Sequence, residues 1–227
     1  MYTTITKFKI PSILEDILKD LQKIGATPIL VGGSVRDYFL NIPIKDYDIE
    51  IFGINSLEII QNCLEKFGSV KLVGKSFGVL TLRVNEYDFD FALPRTETKI
   101  GLSHQDFEVI TNASLSFKEA AIRRDFTINA IGYDFFKEEF IDPFDGIEDL
   151  RTKTIKHIND KTFIEDSLRV YRAVAFASRF NFKIEENTKE LCKQIVLNDE
   201  LKYLPKERIY EEFKKLFLKS AKPSIGF

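Results

Sequence analysis

Hydrophobic side chains recur every three or four residues at Ile13, Leu14, Ile17, Leu18, Leu21 and Ile24, with Pro11 ahead of them and Gly25 behind. That spacing lines one face of a helix, and the proline and glycine mark its two ends. Thr27 to Val31 is a short apolar run that stops at Gly32-Gly33, so a strand is expected to run into a glycine turn. Ser34 then opens SVRDYFLN, where a capping serine with Asp37 three residues on predicts a helix. From Lys45 to Phe52 the period drops to two: Tyr47, Ile49 and Ile51 face one way, and Asp46, Asp48 and Glu50 the other. Ser56 to Phe67 predicts another amphipathic helix. Val79 to Val84 and Tyr87 to Leu93 predict a hairpin turning at Asn85-Glu86, with Asp88 and Asp90 on one face of its second strand and Phe89 and Phe91 on the other.

Residues 95 to 117 have little periodicity and many polar side chains, which predicts a long loop, mobile over 98 to 118. Phe126 to Tyr133 and Phe140 to Pro143 predict a last hairpin-like region before Asp145-Gly146. After Thr162 the pattern is helical throughout, in stretches 164 to 180, 185 to 197 and 205 to 219. The expected architecture is α+β: a mixed domain over 1 to 150, then an all-helical domain over 151 to 227.

Composition narrows the class. With 227 residues, 44% hydrophobic and 30% charged, the chain is long enough and apolar enough to fold around a core. From Lys161 onward there are 14 basic and 10 acidic residues, against 19 and 25 before it, so an acidic front precedes a mildly basic back. That split suits a metal-using front and a polyanion-facing end. Cys63 and Cys192 lie far apart without metal-type spacing, which argues against a disulfide framework or a zinc site. Met1 to Lys9 lacks the apolar core of a signal peptide, and no window is long and apolar enough for a membrane span. A cytoplasmic protein with no membrane partner is expected.

Four constellations could carry chemistry. Asp46 and Asp48, two apart on a strand, point both carboxylates into one small volume, where they repel unless a cation intervenes. Magnesium (Mg2+) suits such a pair, because it binds hard oxygens and leaves places for phosphate and water. Asp88 and Asp90 offer a further carboxylate if their strand lies alongside, completing a two-metal site for in-line phosphoryl displacement. Gly32-Gly33 before a helix start brings backbone N–H groups close to an anion, and Arg36 on the first turn is a cation where a helix favours negative charge. Arg123, Arg124 and Asp125, with Asn129 four residues on, combine phosphate-gripping guanidiniums with groups that bond ribose hydroxyls.

In the helical part, Glu165, Asp166, Arg169 and Arg172 fall at helical spacing, as a salt-bridge ladder would. Another use concerns base edges. Cytosine and adenine both present an amino donor beside an unprotonated ring nitrogen, whereas guanine and uracil present a carbonyl beside a ring N–H. One carboxylate beside one guanidinium therefore matches C and A and mismatches G and U.

Taken in order, LVGGSVRDYFLNIPIKDYDIEIFG, PRTE, RRDFTINAIGYD, IDPFDGIEDL and EDSLRVYRAVAFASRF resemble the class II tRNA nucleotidyltransferase and bacterial poly(A) polymerase family. The resemblance runs from about 25 to 220. It implies a polymerase-β-like nucleotidyltransferase head, with a mixed β-sheet flanked by helices, and an all-helical neck. It further implies that Asp46 and Asp48 bind the catalytic metals with Asp90 as third carboxylate, and that Gly32, Gly33 and Arg36 hold triphosphate. Arg124, Asp125 and Asn129 would contact phosphate or ribose. Asp166 and Arg169 would read the base, with Arg172 in the same nucleotide-binding set, while Glu207 and Arg208 would be structural. The implied partners are ATP, CTP and the tRNA 3′ end. The implied activity is addition of C, C and A, or a CC-only or A-only variant, with poly(A) synthesis and non-catalytic nucleotide binding as alternatives. The closing SAKPSIGF resembles a junction to body and tail domains absent from this chain, so weak or no tRNA binding is expected of these residues alone.

Overall fold

A computed structural model describes residues 7–73, 78–99 and 107–226. The stripe after Pro11 forms α1 (Ser12–Lys23), with Leu14, Ile17, Leu18 and Leu21 fully buried. Next come β1 (Thr27–Val31), α2 (Gly33–Phe39), β2 (Asp46–Phe52) and α3 (Leu57–Leu64), whose cap Ser56 accepts from the Ile59 N–H at 3.3 Å. The strands β3 (Val70–Val73), β4 (Val79–Val84), β5 (Tyr87–Ala92), β6 (Arg95–Lys99) and β7 (Phe107–Thr111) lead to α4 (Phe117–Ala121), β8 (Gly132–Asp134) and β9 (Glu139–Ile141). The remainder is α5 (Gly146–Arg151), β10 (Thr154–Ile155), α6 (Asp160–Glu165), α7 (Leu168–Phe180), β11 (Lys183–Ile184), α8 (Glu186–Leu197) and α9 (Lys206–Lys219). Among the described residues no helix is long and apolar enough to cross a membrane.

These elements form two compact units, each drawn from several stretches of chain. The first comprises Met1–Thr96, Val109–Ala120 and Ile131–Pro143, and the second Glu97–Glu108, Ala121–Ala130 and Phe144–Phe227. The first unit holds a seven-stranded mixed sheet in the order β3-β4-β5-β2-β1-β8-β9, in which β2 and β5 run parallel and the other pairs antiparallel. One row across its apolar face reads Leu30, Ile49, Phe91, Leu80, at most 1% exposed. Burying each of these gains about 1.5 to 3 kcal/mol, which fixes the register: a one-residue slip would turn the row outward. On the opposite face Ile29, Val31, Phe52 and Ala120 cluster, with Leu115, Phe117 and Ile141 packed against them.

In the second unit α7 packs against α8 and α9, and β10 pairs in parallel with β11. Phe163 and Phe126 meet edge to face at 5.9 Å in its core, and buried His157 bonds Thr188 Oγ1 through Nδ1 and Asp160 Oδ1 through Nε2, both at 2.7 Å. Both cysteines are free thiols, pushed up by burial, Cys192 to about 11.

Three sequence expectations need correcting. The stretch 95 to 117 is not one long loop, because β6 and β7 pair as a two-stranded ribbon and α4 begins at Phe117. Residues 100–106 of the expected mobile loop lie outside the described residues. The expected strand from Phe126 is a single bridge to His157 followed by a 3-10 turn, Thr127–Asn129, and pairing resumes only at Gly132. Phe126, Ile128, Ala130 and Ile131 are all fully buried, and a run buried all round has no period to read. The helix expected over 164 to 180 is broken at Asp166, which ends α6 in an extended conformation (φ −120°, ψ 97°) and accepts from the Leu168 N–H at 3.2 Å, just ahead of α7 and its N-cap Ser167. An aspartate there gives the backbone a local alternative to helical bonding.

Candidate active site

The first unit places a glycine turn and four carboxylates on neighbouring strands. β1 ends at Val31, and Gly32 takes φ 71°, a left-handed value that lets the chain turn straight into α2. Ser34, expected to cap this helix, lies inside it and donates instead to the Val31 carbonyl at 3.1 Å. Arg36 is 5% exposed and folds back over the turn, so that a Cβ on Gly33 would stand 3.3 Å from its Nη2. Its charge is met by Asp37, which accepts from Nε and pairs with Nη2, each at 2.7 Å. Arg36 therefore braces the turn with its charge locally balanced.

Asp46 and Asp48 are both exposed on β2, while Tyr47 between them is buried on the other face, its phenol pushed up to about 12 by burial. Parallel pairing sets Asp46 beside Asp88 and Asp48 beside Asp90 on β5. In-register neighbours point to the same side of a sheet, so all four acids share one face. Antiparallel pairing adds β4: one row reads Arg83, Asp88, Asp46, and the next reads Thr81, Asp90, Asp48, Val31. The face expected from period-two alternation is thus assembled, with Asp90 next to Asp48.

Among the described residues no three His, Cys, Asp or Glu side chains close on one point as a full metal cage. The donor set nevertheless fits Mg2+, which is held by one or two carboxylates and takes its other oxygens from water and phosphates. Exposed, oxygen-only, paired carboxylates meet that requirement.

The second unit holds a buried charge network. Asp125, 7% exposed, accepts through Oδ1 from the Phe126 N–H (2.8 Å) and Asn129 Nδ2 (2.9 Å), and through Oδ2 from Arg172 Nε (2.7 Å), with Nη2 at 2.6 Å. Burial works against its charged form, but Arg172 and Asn129 outweigh it and hold the carboxyl below its usual range. Arg172 also lies 3.7 Å from Glu212 Oε1 and 5.1 Å from the Phe176 ring centre. Arg169, 9% exposed, donates to the carbonyls of Thr162 (2.7 Å) and Arg123 (2.5 Å). Burial pushes its pKa down, against the opposing charges of Asp125 and Asp166. Arg124 Nη1 reaches the Asn129 carbonyl at 3.4 Å, a long bond.

Asp125, Asn129 and Arg172 are therefore brought together, and Arg169 is clamped by backbone beside them. No intrahelical salt-bridge ladder, the other use of this spacing, is formed between Asp166 and Arg169: Asp166 Oδ2 faces Arg208 Nη2 at 3.4 Å, and Arg169 donates to backbone carbonyls. Sequence spacing gives no access to that neighbour, because Arg208 stands on α9, 42 residues away.

The sequence itself supplies the deciding comparison: residues 29–156 match the family described as "Poly A polymerase head domain". The chain belongs to this family. Residues 181–227 match a second family, described as "Probable RNA and SrmB- binding site of polymerase A". The head-domain match contains every candidate from Gly32 to Asn129, while Asp166, Arg169 and Arg172 fall between the two matches. Similar to this head-domain chain are a "Multifunctional CCA protein" of Haemophilus ducreyi, 38% identical over 201 residues (87% of this chain, 46% of the relative), and a "CCA-adding enzyme" of Buchnera aphidicola from Acyrthosiphon pisum, with the same identity and shares. The chain thus spans about half the length of the curated relatives it matches. Among solved structures, an apo CCA-adding enzyme superposes with a TM-score of 0.81 at 30% identity, covering 96% of this chain and 52% of the other. A CCA-adding enzyme in complex with CTP gives 0.77 at 30% identity, covering 96% and 50%. The mixed sheet flanked by helices is the polymerase-β-like nucleotidyltransferase fold of these structures.

Proposed function

We propose that this chain carries the nucleotidyl-transfer and nucleotide-selecting parts of a tRNA 3′-terminal nucleotidyltransferase, which adds CMP and AMP from CTP and ATP and releases pyrophosphate. The observation that carries the reading is the carboxylate face: Asp46 and Asp48 exposed on β2, with Asp90 in register beside Asp48. Asp46 and Asp48 would hold Mg2+, which when bound supplies charge stabilisation to the phosphate oxygens. The glycine turn at Gly32-Gly33, braced by Arg36, offers backbone N–H groups to the triphosphate. Arg124 adds a guanidinium for phosphate, and Asn129 an amide for ribose, held in place through Asp125 and Arg172.

The primer's 3′ hydroxyl would pass its proton to water at the carboxylate face, its oxygen would bond to the α-phosphorus, and the bond to pyrophosphate would break, the pyrophosphate leaving with the electron pair. Selection rests on Asp166 and Arg169 as acceptor and donor for the Watson–Crick edge shared by C and A. Two backbone carbonyls hold the Arg169 guanidinium, so its remaining donors are pre-oriented rather than ordered at binding. The relatives named as CCA-adding enzymes, with structures in complex with ATP and with CTP, support this reading.

The test incubates the full-length protein with tRNA lacking its CCA end and with an unrelated RNA primer, with each nucleotide alone and mixed. C and A added to tRNA alone is the expected result. Long A tracts on either primer would replace this reading with poly(A) synthesis, and nucleotide binding without extension would reduce it to a binding module.

A further inference from the structure

β5 presents two acids to the face shared with Asp46 and Asp48, and the neighbouring strand β4 treats them differently. Arg83 stands opposite Asp88, with Nε 3.5 Å from Oδ1. Thr81 stands opposite Asp90 and donates through Oγ1 to Oδ1 at 2.6 Å. We propose that Thr81 is a positioning residue that fixes Asp90 as the third carboxylate of the metal site, while Arg83 draws Asp88 away from it.

The two partners have opposite effects on a ligand. A hydroxyl is neutral, so Asp90 keeps its full negative charge and all but one of its roughly four acceptor positions. Threonine is β-branched with few χ1 options, so the direction of its Oγ1 is set by the strand itself. Orienting a ligating carboxylate by such a bond is the usual role of an outer-shell partner. Arg83 instead offsets the charge of Asp88 and competes for its oxygens. That pair is exposed, at 74% and 43%, and water screens it, so more of the sorting rests on Thr81 than on Arg83. Asp90 also sits in the same row as Asp48, whereas Asp88 sits one row nearer the exposed turn at Asn85. This inference rests on the reading that Asp46 and Asp48 bind a divalent metal.

The test titrates this chain with Mn2+, followed by electron paramagnetic resonance, which needs neither primer nor turnover. Thr81→Val keeps the shape and removes the hydroxyl, and is expected to weaken Mn2+ binding about tenfold. Thr81→Ser restores the donor and should bind within about twofold of wild type. In an Asp90→Asn background Thr81→Val should add no further loss, because its route to the metal is gone. Asp88→Asn should leave binding unchanged. Wild-type affinity in Thr81→Val, or equal losses from Asp88→Asn and Asp90→Asn, would overturn the proposal while Asp46→Asn still abolished binding. Mn2+ binding indifferent to Asp46→Asn would overturn the metal reading itself and this proposal with it.

Discussion

Asp46 and Asp48 are two like charges exposed on one strand face, where each raises the cost of the other in the folded state. Replacing one with Asn would remove a proposed metal ligand and relieve repulsion at once. Asp46→Asn and Asp48→Asn are each expected to reduce transfer more than a hundredfold while the melting temperature stays level or rises; substantial turnover in either would remove the two-metal assignment. Asp125 is the opposite case, a buried acid whose charge the fold depends on. Its carboxyl is held below the usual range by Arg172, so its contribution is present above the unfolded value near pH 4 and is lost as pH falls through the lower folded value. Asp125→Asn should destabilise the protein by about 3 kcal/mol at neutral pH, because Arg172 loses that buried partner, and should flatten the loss of stability below pH 4. Urea unfolding of both proteins from pH 7 to pH 2.5 checks this, and parallel curves would contradict it. The two cases also differ in legibility. Period-two alternation alone puts Asp46 and Asp48 on one face of their strand, and Asp88 and Asp90 on one face of theirs. The Asp125 to Arg172 pair joins residues 47 apart, which local spacing cannot see; local spacing suggests instead an intrahelical ladder, and the buried acid's need for a partner prevails.

Strands with one apolar face are legible as elements because burial imposes the period: Ile49, Ile51, Phe89 and Phe91 are at most 1% exposed. The β6–β7 ribbon forms a sheet of its own, outside the seven-stranded sheet, and its sequence shows no such alternation. The break between α6 and α7 is hidden for another reason. Apolar spacing continues through Asp166, and only the competition of its side chain with the backbone ends the helix. Asp166→Ala should cost about 1 kcal/mol through the lost bond from the Leu168 N–H, separately from any effect on base choice. Thermal unfolding reads that cost, and no change would show that the Leu168 bond contributes nothing. At β8, Gly132 lies beneath Phe117, where an added Cβ would come within 2.6 Å of the ring. Gly132→Ala is expected to cost about 2 kcal/mol by overpacking, with part regained when Phe117 is shortened to Leu. Wild-type stability in Gly132→Ala would mean that α4 shifts freely, against the packing described.

At the scale of the molecule, the acidic excess before Lys161 includes the carboxylate face, and the basic excess after it falls in the helical stretch that contributes Arg169 and Arg172. Family membership rests on residues 29–156, whereas base selection is assigned to Asp166 and Arg169 outside that match. The proposed function therefore joins two parts, a nucleotidyl-transfer head and a choice of nucleotide that would be made by protein side chains. Equilibrium binding of CTP, ATP, GTP and UTP to wild type and to Asp166→Ala tests it most directly. A wrong base edge leaves buried donors or acceptors unpaired at about 1 to 3 kcal/mol each. Similar affinities are expected for CTP and ATP, with GTP and UTP at least about tenfold weaker, and loss of that preference in Asp166→Ala with residual affinity for all four. Equal binding of the four by wild type, or an undiminished preference in Asp166→Ala, would contradict that proposal.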